Sequence, residues 1–376
     1  MIKGFKVRLN PNNKQLTMLY KSAGTARFIY NWTLAKQQEN YKQGGKFISD
    51  RDLRKEITIL KKTELKWLDE VSNNVAKQSV KDACNAYKKF FRGMSKYPRF
   101  KSKKRNKPSF YNDVFKIKVE ENQVRLEKIG WIRLSEHNRI PYVESVKYLN
   151  PRITFDGVHW YVSLNVETLK ENQLELTGET IGIDLGIKKL AIISDGSFYK
   201  NINKCSKVRK TKKSLKRFQR QVSKKYEMNK QGKKYVKTNN IRKLEKKIRV
   251  LQIHLNNIRN DYKQKITTMI VKTKPSRVVM EDLNVDGMMK NKHLSKAIQE
   301  QGFYEFQRMM EYKCRNNGIE FVLADRWYPS SKICSCCGNI KKKLSLSDRT
   351  YICEKCGLKI DRDYNASINL STYKVS

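Results

Sequence analysis

Three acids and four cysteines fall at positions where side chains can do chemistry. IGIDLG, residues 181–186, sets Asp184 in an apolar run between Gly182 and Gly186. A carboxylate there is costly to bury unless it is paired, hydrogen-bonded or bound to a cation. SRVVMEDLNV, residues 276–285, reads as a buried strand ending in Glu281 and Asp282. IDRDYNASINL, residues 360–370, reads as a cap followed by a helix, with Asp363 at its start. Singly, Glu281 is a strand-end acid and Asp363 a helix N-cap. Together, at element boundaries that can converge on one sheet edge, Asp184, Glu281 and Asp363 suit a divalent cation, and hard oxygen ligands suit Mg²⁺ or Mn²⁺. Two such ions about 3.5–4 Å apart can activate a water and stabilise the leaving oxygen of a phosphodiester.

The cysteines form Cys334-x-x-Cys337-Gly and Cys353-x-x-Cys356-Gly, with fifteen residues between the pairs. Four thiolates suit tetrahedral Zn²⁺ and leave no open position, so this site is structural. Cys336 is a bystander, and Cys84, Cys205 and Cys314 are isolated packing residues. Arg349, between the pairs, is placed to meet substrate phosphates.

The elements that must position these residues follow from periodicity. Residues 2–9 alternate like a strand, NPNNKQ starts a helix over 14–42, Asp50 caps one through Leu60, and Asn73–Phe91 reads as a third. FKIKVE, QVRLEKIGWIRL, SVKYLNPRITF and HWYVSLNVE are strand-like and close together, which predicts a β-barrel or curled sheet. After IGIDLG come a second strand, an Asp195-Gly196 hairpin turn, a long basic helix, the strand to Glu281, a helix over roughly 294–316, the strand IEFVLAD and a last helix. That order fits an α/β domain with a mixed sheet, as in the ribonuclease H-like fold. Ile241, Leu244, Ile248, Leu251, Leu255, Ile258 and Tyr262 make a heptad-like core stripe.

The charge narrows the partners. The 376 residues carry 81 Lys or Arg against 36 Asp or Glu, a net +45, with 39% hydrophobic residues to build cores. Such a chain repels itself and favours a polyanion, nucleic acid before an anionic membrane. Residues 200–250 hold 21 Lys or Arg and two Glu, and residues 95–113 mix basic residues, prolines and aromatics. Both suit contact with a phosphate backbone. No apolar run of about 18 residues occurs, the start lacks a signal-peptide core, and the paired cysteines favour a reducing compartment. A cytoplasmic, nucleoid-associated protein is expected.

GIDLGIKKLA, VVMEDLNV, DRWYPSSKICSCCG, CEKCG and DRDYNASINL together resemble TnpB, the transposon-encoded RNA-guided DNA endonuclease family related to type V CRISPR effectors. SAGTARFIYNWTLAKQ, YPRFKSKKR and IGWIRLSEHNRIP fit its amino half. The resemblance implies a wedge β-barrel over 1–10 and 95–172, a helical recognition domain over 11–94, a RuvC-like nuclease domain over 178–332 and 358–376, and a zinc ribbon over 333–357. It implies Asp184, Glu281 and Asp363 as catalytic acids, Mg²⁺ or Mn²⁺ and structural Zn²⁺ as cofactors, and no membrane partner. A guide RNA from the transposon end would pair with target DNA, double-stranded and then single-stranded, beside a short motif read by the protein. Lys77, Gln78, Lys81, Arg99, Lys101, Ser109 and Arg349 are the candidate nucleic-acid contacts. Gln264 stands where relatives often have His, away from the acids.

The alternatives are an RNA-guided repressor that binds without cutting and a transposase that joins strands. Intact acids count against the first, and the lack of a separate end-binding domain against the second. An actin-like ATPase also opens on an Asp-Leu-Gly strand, but Ile187, Lys188 and Lys189 follow here in place of a phosphate-binding Thr or Ser.

Overall fold

The computed structural model describes residues 2–143, 146–167, 175–345 and 348–374. The chain divides into two compact units, Met1–Lys170 and Glu171–Ser376. The ends assigned above to the barrel and to the last domain, 168–172 and 375–376, lie outside the described residues.

In the first unit, β1 (Ile2–Asn10) leads into α1 (Asn13–Lys42). Asn12 starts that helix through a capping box: its side chain accepts from the Gln15 backbone, while Gln15 accepts from the Asn12 backbone. Ser49 and Ser72 cap α2 (Asp50–Lys62) and α3 (Asn73–Phe91). The start of α1 buries Leu19, Ala23 and Ala26 against a sheet. Further along, Ile29 packs with Leu53, Ile57, Val80 and Cys84 of α2 and α3. One helix therefore serves two cores.

The sheet is completed by β2 (Ser109–Tyr111), β3 (Lys118–Val119), β4 (Gln123–Leu126), β5 (Gly130–Leu134), β6 (Lys147–Phe155) and β7 (Trp160–Glu167). Its seven strands run antiparallel in the order β2-β6-β7-β1-β5-β4-β3. No pair among the described residues joins β2 to β3, so the sheet is open where a closed barrel was expected. Closure needs two edges that can bond along their length. Here the edges are three and two residues long, and a turn of 3₁₀ helix at Val114–Lys116 separates them in sequence.

The second unit holds a five-stranded mixed sheet. β8 (Thr180–Leu185), β9 (Lys189–Ile193) and β10 (Phe198–Lys200) form an antiparallel meander. α4 (Ser206–Met228), a small hairpin of β11 (Lys230–Gln231) and β12 (Lys234–Tyr235), and α5 (Asn239–Lys272) follow. The expected single long helix is thus two, turned at Gly232 with φ +56°, a left-handed conformation glycine adopts freely. β13 (Arg277–Glu281) then lies parallel to β8. α6 (Val285–Met289), α7 (Ser295–Gln301) and α8 (Phe303–Asn317) lead to β14 (Glu320–Ala324), parallel to β13. The helix expected over 294–316 breaks at Gly302, whose φ is +65°. β15 (Thr350–Ile352) and β16 (Lys359–Asp361) pair near the cysteines, and α9 (Arg362–Ser371) closes the unit.

The large sheet is ordered β10-β9-β8-β13-β14. β13 is buried on both faces, as a central parallel strand must be. Val278 and Met280 join Ile266, Ile270, Phe306 and Met310 of α5 and α8 on one side. Val279 meets Leu370 of α9 on the other. α9 can come this close because residue 182 is glycine. A Cβ there would sit 2.0 Å from the Ser367 carbonyl oxygen and 2.5 Å from the Ser371 nitrogen.

Candidate active site and metal centre

The three acids come from three adjoining elements. Asp184 lies near the end of β8, Glu281 ends the neighbouring parallel strand β13, and Asp363 is in the first turn of α9, which packs on β8. The cap of α9 is Asp361, whose Oδ1 accepts from the Asp363 and Tyr364 backbone nitrogens at 3.0 Å each. Asp363 is therefore not needed as the N-cap. Its Oδ1 accepts from Arg362 Nε at 3.0 Å and Nη2 at 2.9 Å, and Arg349 Nη1 stands 3.8 Å from Oδ2. Asp282, next to Glu281, turns to Arg326 at 2.6 Å.

The electrostatics tie the acids together. Burial, then the charges of Glu281 and Asp363, push the Asp184 carboxyl well above the usual carboxylate range. Burial also raises Glu281, against a hydrogen bond from Ser330 and with a further push from Asp363. The Arg362 charge opposes both shifts, a divalent cation would oppose them further, and the hard oxygens of these acids are the donor set for Mg²⁺ or Mn²⁺. Their oxygens are not gathered as tightly as a coordinated ion requires. Among the described residues, only the four cysteines place ligand atoms from three or more His, Cys, Asp or Glu within 4.8 Å of one another. Asp363 is drawn to its arginines and Glu281 to Ser330.

Those four cysteines are Cys334, Cys337, Cys353 and Cys356. The Sγ atoms of Cys334 and Cys356, and of Cys337 and Cys353, are 3.6 Å apart. The backbone N–H of Cys356 points at Cys353 Sγ at 3.5 Å and holds that thiol down, at about 6. Gly338 and Gly357, at φ +72° each, let the chain turn after each pair. The donor set and spacing fit a tetrahedral zinc ion. Cys336 is exposed and outside the cluster.

Sequence reasoning missed the side chains that join the two centres. Asn365 Nδ2 donates to the Ile333 carbonyl at 2.6 Å, and its Oδ1 accepts from the Ser335 nitrogen at 3.0 Å. Asn369 Nδ2 donates to the Ser330 and Ile333 carbonyls, both at 2.7 Å. The Ser330 hydroxyl donates to Glu281 Oε1. One signal was available: asparagine is a poor helix-interior residue, yet two stand four apart on one face of α9.

The candidate nucleic-acid contacts of the first unit separate. Gln78, Lys101 and Ser109 line one pocket of about 200 Å³, together with Asp82 and Arg152. Lys101 lies over the Tyr30 ring at 3.6 Å, and burial lowers its ammonium from the usual lysine range. Lys77 instead lines a basic groove with Arg51, Lys55 and Lys61. Lys81 and Arg99 are exposed and border neither.

Three family models match the chain. A helix-turn-helix domain model matches residues 1–46, a probable transposase model residues 163–292, and a Cas12f1-like TNB domain model residues 303–370. Among named relatives, InsQ of Escherichia coli K12, named as an RNA-guided DNA endonuclease, is 31% identical over 98% of this chain and 91% of its own length. The chain belongs to the TnpB family. A relative from Streptomyces pristinaespiralis with the same kind of name is also 31% identical, over 98% of this chain and 88% of that protein. Among solved structures, a Cas12f1-sgRNA-target DNA complex matches 99% of this chain and 98% of the Cas12f1 chain with a TM-score of 0.56 at 13% identity. That likeness extends the TnpB fold to a CRISPR effector. No helix among the described residues is long and apolar enough to cross a membrane.

Proposed function

We propose that this protein is an RNA-guided DNA endonuclease that cuts phosphodiesters at a cation site made by Asp184, Glu281 and Asp363. The observation that carries this reading is the arrival of the three acids from the ends of two parallel neighbours, β8 and β13, and from the helix packed on them. The order β10-β9-β8-β13-β14, three strands antiparallel and two added parallel, supports the reading of a ribonuclease H-like or RuvC-like domain. Family membership supports the same activity.

When bound, Mg²⁺ or Mn²⁺ supplies charge neutralisation and activation of a water. The chain's own residues do the positioning. Ser330 orients Glu281 through its hydroxyl. Arg362 and Arg349 hold Asp363; both are cationic groups that can turn to a phosphate, because guanidinium forks pair with either anion. Asn369 on α9 holds the loop carrying Ser330. In the first unit, the pocket of Gln78, Lys101 and Ser109 and the groove of Lys77 present donors to a DNA backbone and its base edges, with Lys81 and Arg99 as exposed cations.

The test is co-expression with the DNA flanking the gene, sequencing of the co-purified RNA, and plasmid cleavage with and without Mg²⁺. One structured RNA ending in flanking sequence, cutting that requires Mg²⁺, and loss of cutting with retained target binding in Asp184→Ala are expected. Wild-type cutting by Asp184→Ala removes the site assignment. A guided complex that binds without cutting makes the protein a repressor.

A further inference from the structure

The far end of α1, the loop after it and the end of α3 enclose a pocket of about 550 Å³ that the nuclease reading leaves unused. Its walls include Tyr41, Phe47, Tyr87, Phe90, Phe91 and Tyr97. The rings form a lattice: Phe90 meets Tyr97 edge-on at 5.1 Å, Tyr87 meets Tyr97 edge-on at 5.7 Å, and Tyr87 stacks on Phe91 at 6.1 Å. Tyr87 is buried, but Tyr41 is 79% exposed, Phe91 65%, Tyr97 47% and Phe47 40%. Four large aromatics side by side in water cost free energy that a core would recover.

The loop is held, not loose. Gln37 is buried and bonds both backbone groups of Ile48, donating to its carbonyl at 2.7 Å and accepting from its nitrogen at 3.1 Å. Asn40 donates to the Lys46 carbonyl at 2.6 Å. These bonds fix Phe47 opposite Phe91, 6.2 Å away and nearly perpendicular. The rings therefore stand ready to receive a flat guest.

Charge decides what the guest is. Residues 37–47 and 87–97 carry Lys42, Lys46, Lys88, Lys89, Arg92 and Lys96, all exposed, against the single acid Glu39. A second copy docking by this face would bring six cations against six. A duplex hides its base faces. A single strand offers both phosphate for the rim and π-faces for the rings. We propose that this pocket captures an unpaired base of a single RNA strand. The choice of RNA rests on the proposed function, in which a guide is present whenever the protein is loaded. Folded RNA displays splayed loop bases for aromatic capture.

The experiment uses the full chain without guide or target. A single-stranded RNA of about 12 nucleotides carrying 4-thiouridine is photocrosslinked and the adduct mapped by mass spectrometry. Anisotropy compares the same strand, its DNA equivalent and a perfect RNA duplex on the wild type and on Tyr41→Ala/Phe91→Ala, both changes at exposed positions. Adducts within residues 37–47 or 87–97, and about a tenfold loss of single-strand RNA affinity with duplex affinity unchanged, are expected. Adducts only elsewhere, or an equal loss for duplex, overturn the pocket. Equal capture of the DNA strand overturns the RNA assignment. A wild-type dimer that the double variant turns into monomer by sedimentation makes the occupant a second copy. Plasmid cutting is scored separately, so base capture without cutting sinks the nuclease reading alone.

Discussion

Gly182→Ala tests how the active edge is assembled. An alanine Cβ at this position would lie 2.0 Å from the Ser367 carbonyl oxygen and 2.5 Å from the Ser371 nitrogen. Ordinary contact begins near 3.4 Å, so relief needs a shift of about 1.4 Å. Both obstructing atoms are backbone, and no side chain can swing aside. Either α9 lifts from β8 or the strand bends. Overpacking a core costs about 1–3 kcal/mol, and a clash with backbone belongs at the upper end. In a unit of 206 residues, 171 to 376, about 3 kcal/mol lowers the melting temperature by roughly 6–12 °C. Asp363 rides on α9, and on the proposed assignment a misplacement of about 1 Å can cost it about a hundredfold in rate. Calorimetry reads the first effect, and single-turnover cleavage below the new midpoint reads the second. A variant that melts within about 1 °C of the wild type and cuts at its rate would refute the claim that α9 on Gly182 sets Asp363.

Other substitutions probe separate links. Gly24→Ala has the opposite sign: nothing lies within 4 Å of its Cβ position in α1, so a more helix-prone residue should stabilise the first unit by about 0.5–1 kcal/mol in denaturant titration. Asn365→Ala strands the Ser335 N–H, while the Ile333 carbonyl keeps its bond from Asn369, which should cost roughly 1–3 kcal/mol; unchanged stability would mean the first cysteine turn does not lean on α9. Ser330→Ala frees Glu281 and should slow cleavage about tenfold, ~1.4 kcal/mol of barrier, with the fold retained by circular dichroism. Cys353→Ser should release zinc by metal analysis, since three thiolates hold it less well than four.

Much of the candidate site could be read in the sequence because each acid stands at or near an element boundary. Asp184 and Glu281 close apolar runs, and Asp363 opens a helix, so hydrophobic patterning located all three. The starts of α1 and α3 were also readable, from NPNNKQ and from the apolar spacing that begins at Asn73. What escaped depends on distant partners. The hydrogen bonds of Ser330, Asn365 and Asn369 span 30 to 49 positions, beyond any local pattern. The break between α4 and α5 lies in a lysine-rich stretch with little apolar periodicity to interrupt. Strand density left a barrel and a curled sheet both open, because it reports how many strands exist and not whether the outer two are long enough to meet; the closed barrel came from the resemblance. Asp363, taken singly, was read as the cap of α9, and only geometry gives that role to Asp361.

The position of α9 in the sequence sets an order of events during synthesis. Glu281 leaves the ribosome 363 − 281 = 82 residues before Asp363. At about 5–20 residues per second, that interval lasts roughly 4–16 s. Throughout it, the sheet carrying Asp184 and Glu281 has no helix over Gly182 and no third acid. A nascent chain with its basic first unit already exposed can thus hold nucleic acid before it can cut. On the proposed assignment, the cutting edge is sealed by a late segment, and binding comes before cleavage in the life of each molecule.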